Sequence, residues 1–348
     1  MDPHTDLSPS EPRAASGPTD SAVSADMGND ASTGRVTLAL VIPVYQRAHQ
    51  VGETLAALEA QTSRPDEVIL VDNGSTDGSL ELLHRWSRRM LRLGWNVTVL
   101  EERRRGAARA RQTGLESVRS EYVMFFDSDD IMPPRHIQLA RADILTHPTA
   151  DICAWSLGYE CDGSRLGQRR ILPPGREIEN HMVQGLLCTA AYAVRTAFLR
   201  RAGGWNPSIG GWDDWELGLR LLLQRPEIYV DPRPRLYVRV QEDSISGLGY
   251  VHRAGDWEHT LDVMERNALA CGDAALRNRL LRLIAYRRVN LAAHYRRERR
   301  PDLSGALLRK ALLGHGLARG SRLLLRAAYL HTASWLPWAG GIYPRLLR

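Results

Sequence analysis

Between Val36 and Phe126 four apolar, strand-like runs alternate with three stretches of helical apolar spacing, and this alternation restricts the fold more than any other feature of the chain. The runs are Val36 to Tyr45, Glu67 to Val71, Asn96 to Leu100 and Tyr122 to Phe126. Between them lie Val51, Leu55, Leu58 and Ala60 at helical spacing, then helices around Leu80 to Met90 and Ala107 to Val118. Strands buried on both faces read as continuous apolar runs, and strands joined through helices pair in parallel. The pattern predicts an α/β fold with an open, mostly parallel, doubly wound sheet flanked by helices. In such sheets ligands gather beyond the carboxyl ends of the strands.

Two of those ends are acidic. Val71 runs into Asp72-Asn73-Gly74-Ser75-Thr76-Asp77-Gly78-Ser79, where turn chemistry and helix capping by Ser75, Thr76 or Asp77 are an alternative to ligand binding. Phe126 runs into Asp127-Ser128-Asp129-Asp130. Like charges crowded at a strand tip are costly unless a cation joins them. A hard divalent ion, Mn2+ or Mg2+, suits one or two carboxylates plus substrate phosphates and water, whereas zinc does not. The competing reading is that Asp129 or Asp130 caps a helix beginning near Pro133. A third cluster, Gly210-Gly211-Trp212-Asp213-Asp214-Trp215-Glu216, opens an amphipathic helix through Leu223. Capping explains one of its carboxylates; a general base accepting a proton from an attacking hydroxyl is the other reading.

In their order and contexts these clusters resemble the family 2 glycosyltransferases over about Val36 to Gly247. The resemblance implies a GT-A fold, a nucleotide diphosphate sugar donor of UDP, GDP or dTDP type, a hydroxyl acceptor, and transfer with inversion. It sets Pro43 and Tyr45 in the opening segment, Asp72 against the base with Asn73 in place of a commoner Asp, and Ser128 beside the donor. Ala110-Arg111-Gln112-Thr113-Gly114 is similar to the family's Ala-Arg-Asn-x-Gly segment, so that Arg109 and Arg111 are expected at the pyrophosphate. Asp127-Ser128-Asp129 matches its Asp-x-Asp, which implies Asp127 near the ribose and metal, and Asp129 as metal ligand. Asp213-Asp214 matches its Glu-Asp pair, implying Asp214 as base. Where relatives carry a possible metal-binding His, this chain has Gln241.

Two other functions are compatible with such a sheet. A sugar nucleotidyltransferase needs a Gly-rich phosphate loop with a lysine after the first strand, and Pro43-Val44-Tyr45-Gln46-Arg47 is no such loop. A catalytically silent binding protein is suggested by Asn73, Gln112 and Gln241, but the presumed base and metal residues are retained.

Residues 1–34 hold no aromatic residue and no apolar periodicity, and read as a disordered tail. Their six acidic residues against Arg13 leave the remainder near +11 within a chain of net charge +6, a basic body suited to anionic partners. No nucleic-acid-binding signature accompanies that charge. The nucleotide-sugar and acceptor domain is expected over 35–248, and a helical region over 249–348. Four cysteines without metal or disulfide spacing, no signal peptide and no apolar run of about 20 residues point to a cytoplasmic protein. The C-terminal mixture of Leu325, Trp335, Trp338 and Tyr343 with Arg322, Arg326, Arg345 and Arg348 suits either peripheral membrane contact or packing on the catalytic body. Trp205, Trp212 and Trp215 beside the presumed base either stack on acceptor sugars or fill the core. His49, His136, His181, His252 and His259 have no metal-like spacing.

Overall fold

A computed structural model describes residues 35–161, 164–169, 175–239, 249–315, 317–334, 343 and 346. The expected tail over 1–34 and the expected loop residue Gln241 lie outside them, as do Trp335, Trp338, Arg345 and Arg348.

The alternation resolves into β1 (Leu38–Val44), α1 (Val51–Glu59), β2 (Glu67–Asp72), α2 (Ser79–Arg92), β3 (Val97–Glu101), α3 (Ala107–Ser117) and β4 (Tyr122–Phe125). Strand β1 is the hub, parallel to β2 and to β4, with β3 parallel to β2 beyond. The side chains of Leu38, Leu40, Ile42, Val123 and Met124 are wholly inaccessible to solvent, because helices cover both faces of this half. Helix α3 lies so close to the sheet that a Cβ on Gly114 would overlap the side chain of Val41. Only glycine permits that approach.

After α4 (His136–Thr146) the sheet changes direction. Its remaining strands are β5 (Ile152–Cys161), β6 (Ser164–Arg169), β7 (Tyr192–Arg195) and β8 (Ile228–Arg239), interleaved with α5 (Glu177–Gln184), α6 (Thr196–Arg201) and α7 (Asp213–Leu223). Strand β7 pairs antiparallel with β4 and β5, β6 antiparallel with β5, and β8 parallel with β5. The eight-stranded sheet therefore runs β3-β2-β1-β4-β7-β5-β6, with β8 also on β5. The expectation of a mostly parallel sheet holds for its first half. The β5–β8 ladder shifts register around Ser156, opposite Pro234. There Arg235, nearly fully buried, is held by Asp231 at 2.7 Å and Asp143 at 2.6 Å.

Beyond Arg239 the described residues contain no further strand. Helices α8 (Ala254–Leu269), α9 (Ala274–Arg297), α10 (Pro301–Leu313) and α11 (Arg319–Ala333) follow. Trp257, Leu261, Met264 and Ile284 share one apolar core with Met182 of α5 and with Trp215 and Leu219 of α7, and Val36–Arg348 forms a single compact unit. Leu325 and Tyr343 pack against α9, whereas Leu323 and Leu330 of α11 stand out in solvent. No helix among the described residues is long and apolar enough to cross a membrane.

Candidate active site

Beyond the carboxyl ends of β1, β2 and β4 the loops are fastened to one another by side chain to backbone hydrogen bonds. After β1, the backbone N–H groups of Gln46, Arg47 and Ala48 donate to Ser75 Oγ at 3.1 Å, Ser79 Oγ at 2.9 Å and Asp77 Oδ2 at 2.9 Å. Ser75 and Asp77 thus clamp the β1 loop, while the cap position of α2 is Gly78, which has no side chain. Tyr45 is covered by the Arg105 guanidinium, 4.6 Å above its ring, and Pro43 lies opposite Val71 in the ladder.

At the β2 tip, Asp72 Oδ2 accepts from the N–H groups of Gly74 and Ser75, both at 3.0 Å. Its Oδ1 is buried and has no hydrogen-bond partner. Buried acceptors are rarely left unpaired, so this oxygen is a natural seat for a ligand N–H. Asn73 takes another part: its amide nitrogen donates to the carbonyls of Glu102 and Arg104 at 2.8 and 2.9 Å, and its oxygen accepts from Gly106 N–H at 2.8 Å. Every polar atom of that side chain is used in binding the β3–α3 loop. An aspartate would offer no donors to those two carbonyls, which explains the amide here.

The carboxylates of Asp127 and Asp129 after β4 have different partners. Asp127 turns to Arg111, whose Nη2 donates to it at 2.6 Å while Nη1 donates to Asp213 at 2.5 Å. Arg111 is about 7% exposed, with its guanidinium 4.9 Å above the buried ring of Trp205. Burial opposes its charge, but Asp213, Asp127 and Asp214 together outweigh that penalty and hold its pKa above the ordinary value. Both residues expected at the pyrophosphate lie on α3: Arg111 forms this fork, and Arg109 stands partly exposed in the first turn. Asp129 meets Arg47 Nη2 at 3.1 Å, and burial followed by the nearby Asp127 raises its pKa. Thr54 Oγ1 lies 2.9 and 3.0 Å from the carbonyl oxygens of Ser128 and Asp130, pinning this loop to α1. Neither Asp129 nor Asp130 caps α4, whose cap residue is Arg135.

Asp213 and Asp214 fall in the first turn of α7 behind Trp212, which adopts a left-handed conformation with φ 55° and ψ 35°. A bulky side chain there is strained and must be held by its surroundings. Trp212 is so held, with ring centroids 4.8 Å from Trp257 and 5.6 Å from Trp215. The two neighbouring tryptophans have separate positions. Trp215 is 3% exposed, and its indole N–H donates to the carbonyl of His181 at 2.8 Å. It is part of an apolar core. Trp212 remains partly exposed. Asp213 faces Arg111. His181 receives Leu187 N–H on Nδ1, so its Nε2–H donates to the Trp215 carbonyl, a satisfied structural histidine. Tyr192 is buried with an unpartnered hydroxyl, and burial and the charge of Asp214 push its pKa up.

Thr54, Tyr192 and the Arg111 fork were not legible in the sequence: a hydroxyl, a phenol and a guanidinium there look like any others. Gln112, where the family segment has Asn, has a structural part. It accepts from Trp205 N–H at 2.9 Å, linking α3 to the turn that leads to α7. Among the described residues no three His, Cys, Asp or Glu side chains converge as a complete metal cage. Asp127 and Asp129 supply oxygen donors only, the set a hard divalent ion accepts when phosphate and water complete its shell.

Residues 39–202 match the profile described as glycosyl transferase family 2. Glycosyltransferase GlyG of Streptococcus pneumoniae is 34% identical over 170 residues, 49% of this chain and 51% of that protein. Glycosyltransferase GlyA of the same organism is 29% identical over 115 residues, only 16% of its length. The chain thus spans about half or less of these relatives. Among solved structures, S. aureus TarS 1–349 in complex with UDP-GlcNAc superposes with a TM-score of 0.60 at 19% identity, over 86% of this chain and 89% of that one. Mannosyltransferase PcManGT from Pyrobaculum calidifontis, in complex with GDP-Man and Mn2+, gives 0.55 at 20% identity, over 90% and 87%. With its acidic tips at the expected strand ends and a GT-A-like sheet beneath them, the chain is similar to the family 2 glycosyltransferases over residues 39–202.

Proposed function

We propose that this protein transfers one sugar from a nucleotide diphosphate sugar to an acceptor hydroxyl, inverting the anomeric carbon, with Mn2+ or Mg2+ held by Asp129 and Asp127. The observation that carries the reading is the Arg111 fork, which ties Asp127 at the β4 tip to Asp213 at the start of α7, next to Asp214. Donor residues and base then share one rigid frame. The open Oδ1 of Asp72 suits a nucleobase N–H, and Pro43, Tyr45, Arg109 and Ser128 border the donor. TarS bound to UDP-GlcNAc and PcManGT bound to GDP-Man and Mn2+ support a nucleotide-sugar donor.

When bound, the metal would neutralise charge on the diphosphate. Asp214 accepts the proton of the acceptor hydroxyl as its oxygen attacks the anomeric carbon, and the bond to the diphosphate breaks on the opposite face. Arg111 keeps Asp213 and Asp127 in place. Exposed Leu323 and Leu330 beside Arg322 and Arg326 on α11 support peripheral contact with an anionic membrane surface; failure to sediment with anionic vesicles would remove that contact. For the main reading, purified protein is screened with UDP, GDP and dTDP sugars in the presence of Mn2+. At least one class should raise the melting temperature and be consumed; no stabilisation and no turnover with any of them overturns the assignment.

A further inference from the structure

We infer that the cleft between the start of α7 and the face of α9 is a binding site for a single pyranose ring, the acceptor subsite of the proposed transferase. It encloses about 180 Å³ and is lined by Trp212, Tyr250, Tyr286, Arg287, Asn290 and His294. Pockets for drug-sized ligands and cofactors run from about 300 to 1,000 Å³, so this one is too small for a nucleotide and of a size for one ring. Three aromatic side chains among eight lining residues, Leu291 and Thr332 being the other two, sit with an amide, an imidazole and a guanidinium and supply apolar faces for C–H groups and polar edges for hydroxyls.

Asn290 Oδ1 is buried without a hydrogen-bond partner, an acceptor that a sugar hydroxyl would satisfy. Burial pushes the His294 imidazole down to about 4, so at neutral pH it is uncharged and able both to donate and to accept. Arg287 is stacked 4.4 Å from the Trp215 ring and 5.8 Å from the Trp212 ring, which keeps the charged head against aromatic faces.

Position connects this cleft to the chemistry. Trp212 lines it and immediately precedes Asp213 and Asp214, so its Cα lies within about 8 Å of the base residue, two Cα–Cα steps away. Its backbone is left-handed, and its indole lies beside Tyr250, with ring centroids 6.0 Å apart. A ring seated here presents a hydroxyl toward the first turn of α7. The assignment as acceptor subsite rests on the transferase reading; the sugar-binding property does not.

Ligand-observed saturation-transfer NMR with methyl pyranosides of glucose, galactose, mannose and N-acetylglucosamine tests it, with UDP-induced thermal stabilisation measured in parallel. At least one pyranoside should give signal with the wild-type protein. The signal should fall at least fivefold in Asn290→Ala and again in Trp212→Leu, while UDP still stabilises Asn290→Ala. Absence of signal from all four, or signal unchanged in both variants, overturns the site. Pyranoside binding in a protein that neither binds nor consumes any nucleotide sugar leaves the sugar site standing and removes the transferase reading instead.

Discussion

The two sides of the candidate active site are built from opposite materials. On the strand-tip side, short polar side chains fasten loop to loop: Asn73 to the β3–α3 segment, Ser75 and Asp77 to the β1 loop, Thr54 to the acidic turn. On the α7–α9 side the fastening is aromatic, with Trp212, Trp215, Tyr250 and Trp257 packed ring on ring. Hydrogen bonds are directional and fix atoms to within tenths of an ångström, as a common diphosphate nucleotide requires. Aromatic packing fixes volume and tolerates substitution of one shape for another.

Five changes test this contrast. Asp214→Asn should lower kcat by about a thousandfold while leaving the KM for the donor nearly unchanged, because a base acts in the transition state and not in donor binding. Near wild-type turnover would detach α7 from the chemistry. Arg111→Met should lower stability by about 4 kcal/mol in urea titration, since it abandons two partly buried carboxylates at once. Equal stability would mean the two sides are not joined there. Trp257→Ala, at a residue 1% exposed, should cost about 3 kcal/mol and weaken pyranoside binding without altering UDP affinity. Asn73→Asp should cost about 2 kcal/mol by removing two donations, and here UDP affinity should fall as well. If these last two exchanged their effects on ligands, the division of labour would be wrong.

The smallest effect concerns pH. Arg104 donates to Glu102 and, against the cost of burial, holds the Glu102 carboxyl down at about 2, from an ordinary 4.5. A depressed carboxyl adds stability above its unfolded value and loses it as pH falls. The Glu102 contribution is therefore complete above about 4.5 and disappears toward 2. Glu102→Gln should flatten the acid-side decline of the urea midpoint across that window and leave the decline elsewhere in place.

Much of the first side could be read from the chain alone. Strands β1, β2 and β4 are largely buried, so they show as apolar runs; Asp72 closes β2, and Asp127 stands two residues beyond β4. Strand β8 could not be read in the same way. It carries Pro232 and Pro234 and three arginines, yet it pairs with β5 by shifting register and burying Arg235 between Asp143 and Asp231. A buried arginine is indistinguishable in sequence from a solvated one. The same ambiguity hides the Arg111 fork. The tryptophans illustrate a third kind of difficulty, since Trp212 and Trp215 are three residues apart on one helix start and only the tertiary contact with α8 and α9 separates cleft from core.

Trp212 has a consequence for how this molecule responds to its ligands. Its left-handed backbone persists because α8 and α9 press on the indole, so the orientation of the first turn of α7 and the seating of the C-terminal helices form one thermodynamic balance. Coupling of that kind is reciprocal. A ligand that steadies the turn must steady α9 in equal measure, and amide exchange along Leu283 to His294 should slow when the cleft is filled, some distance from any atom that reacts.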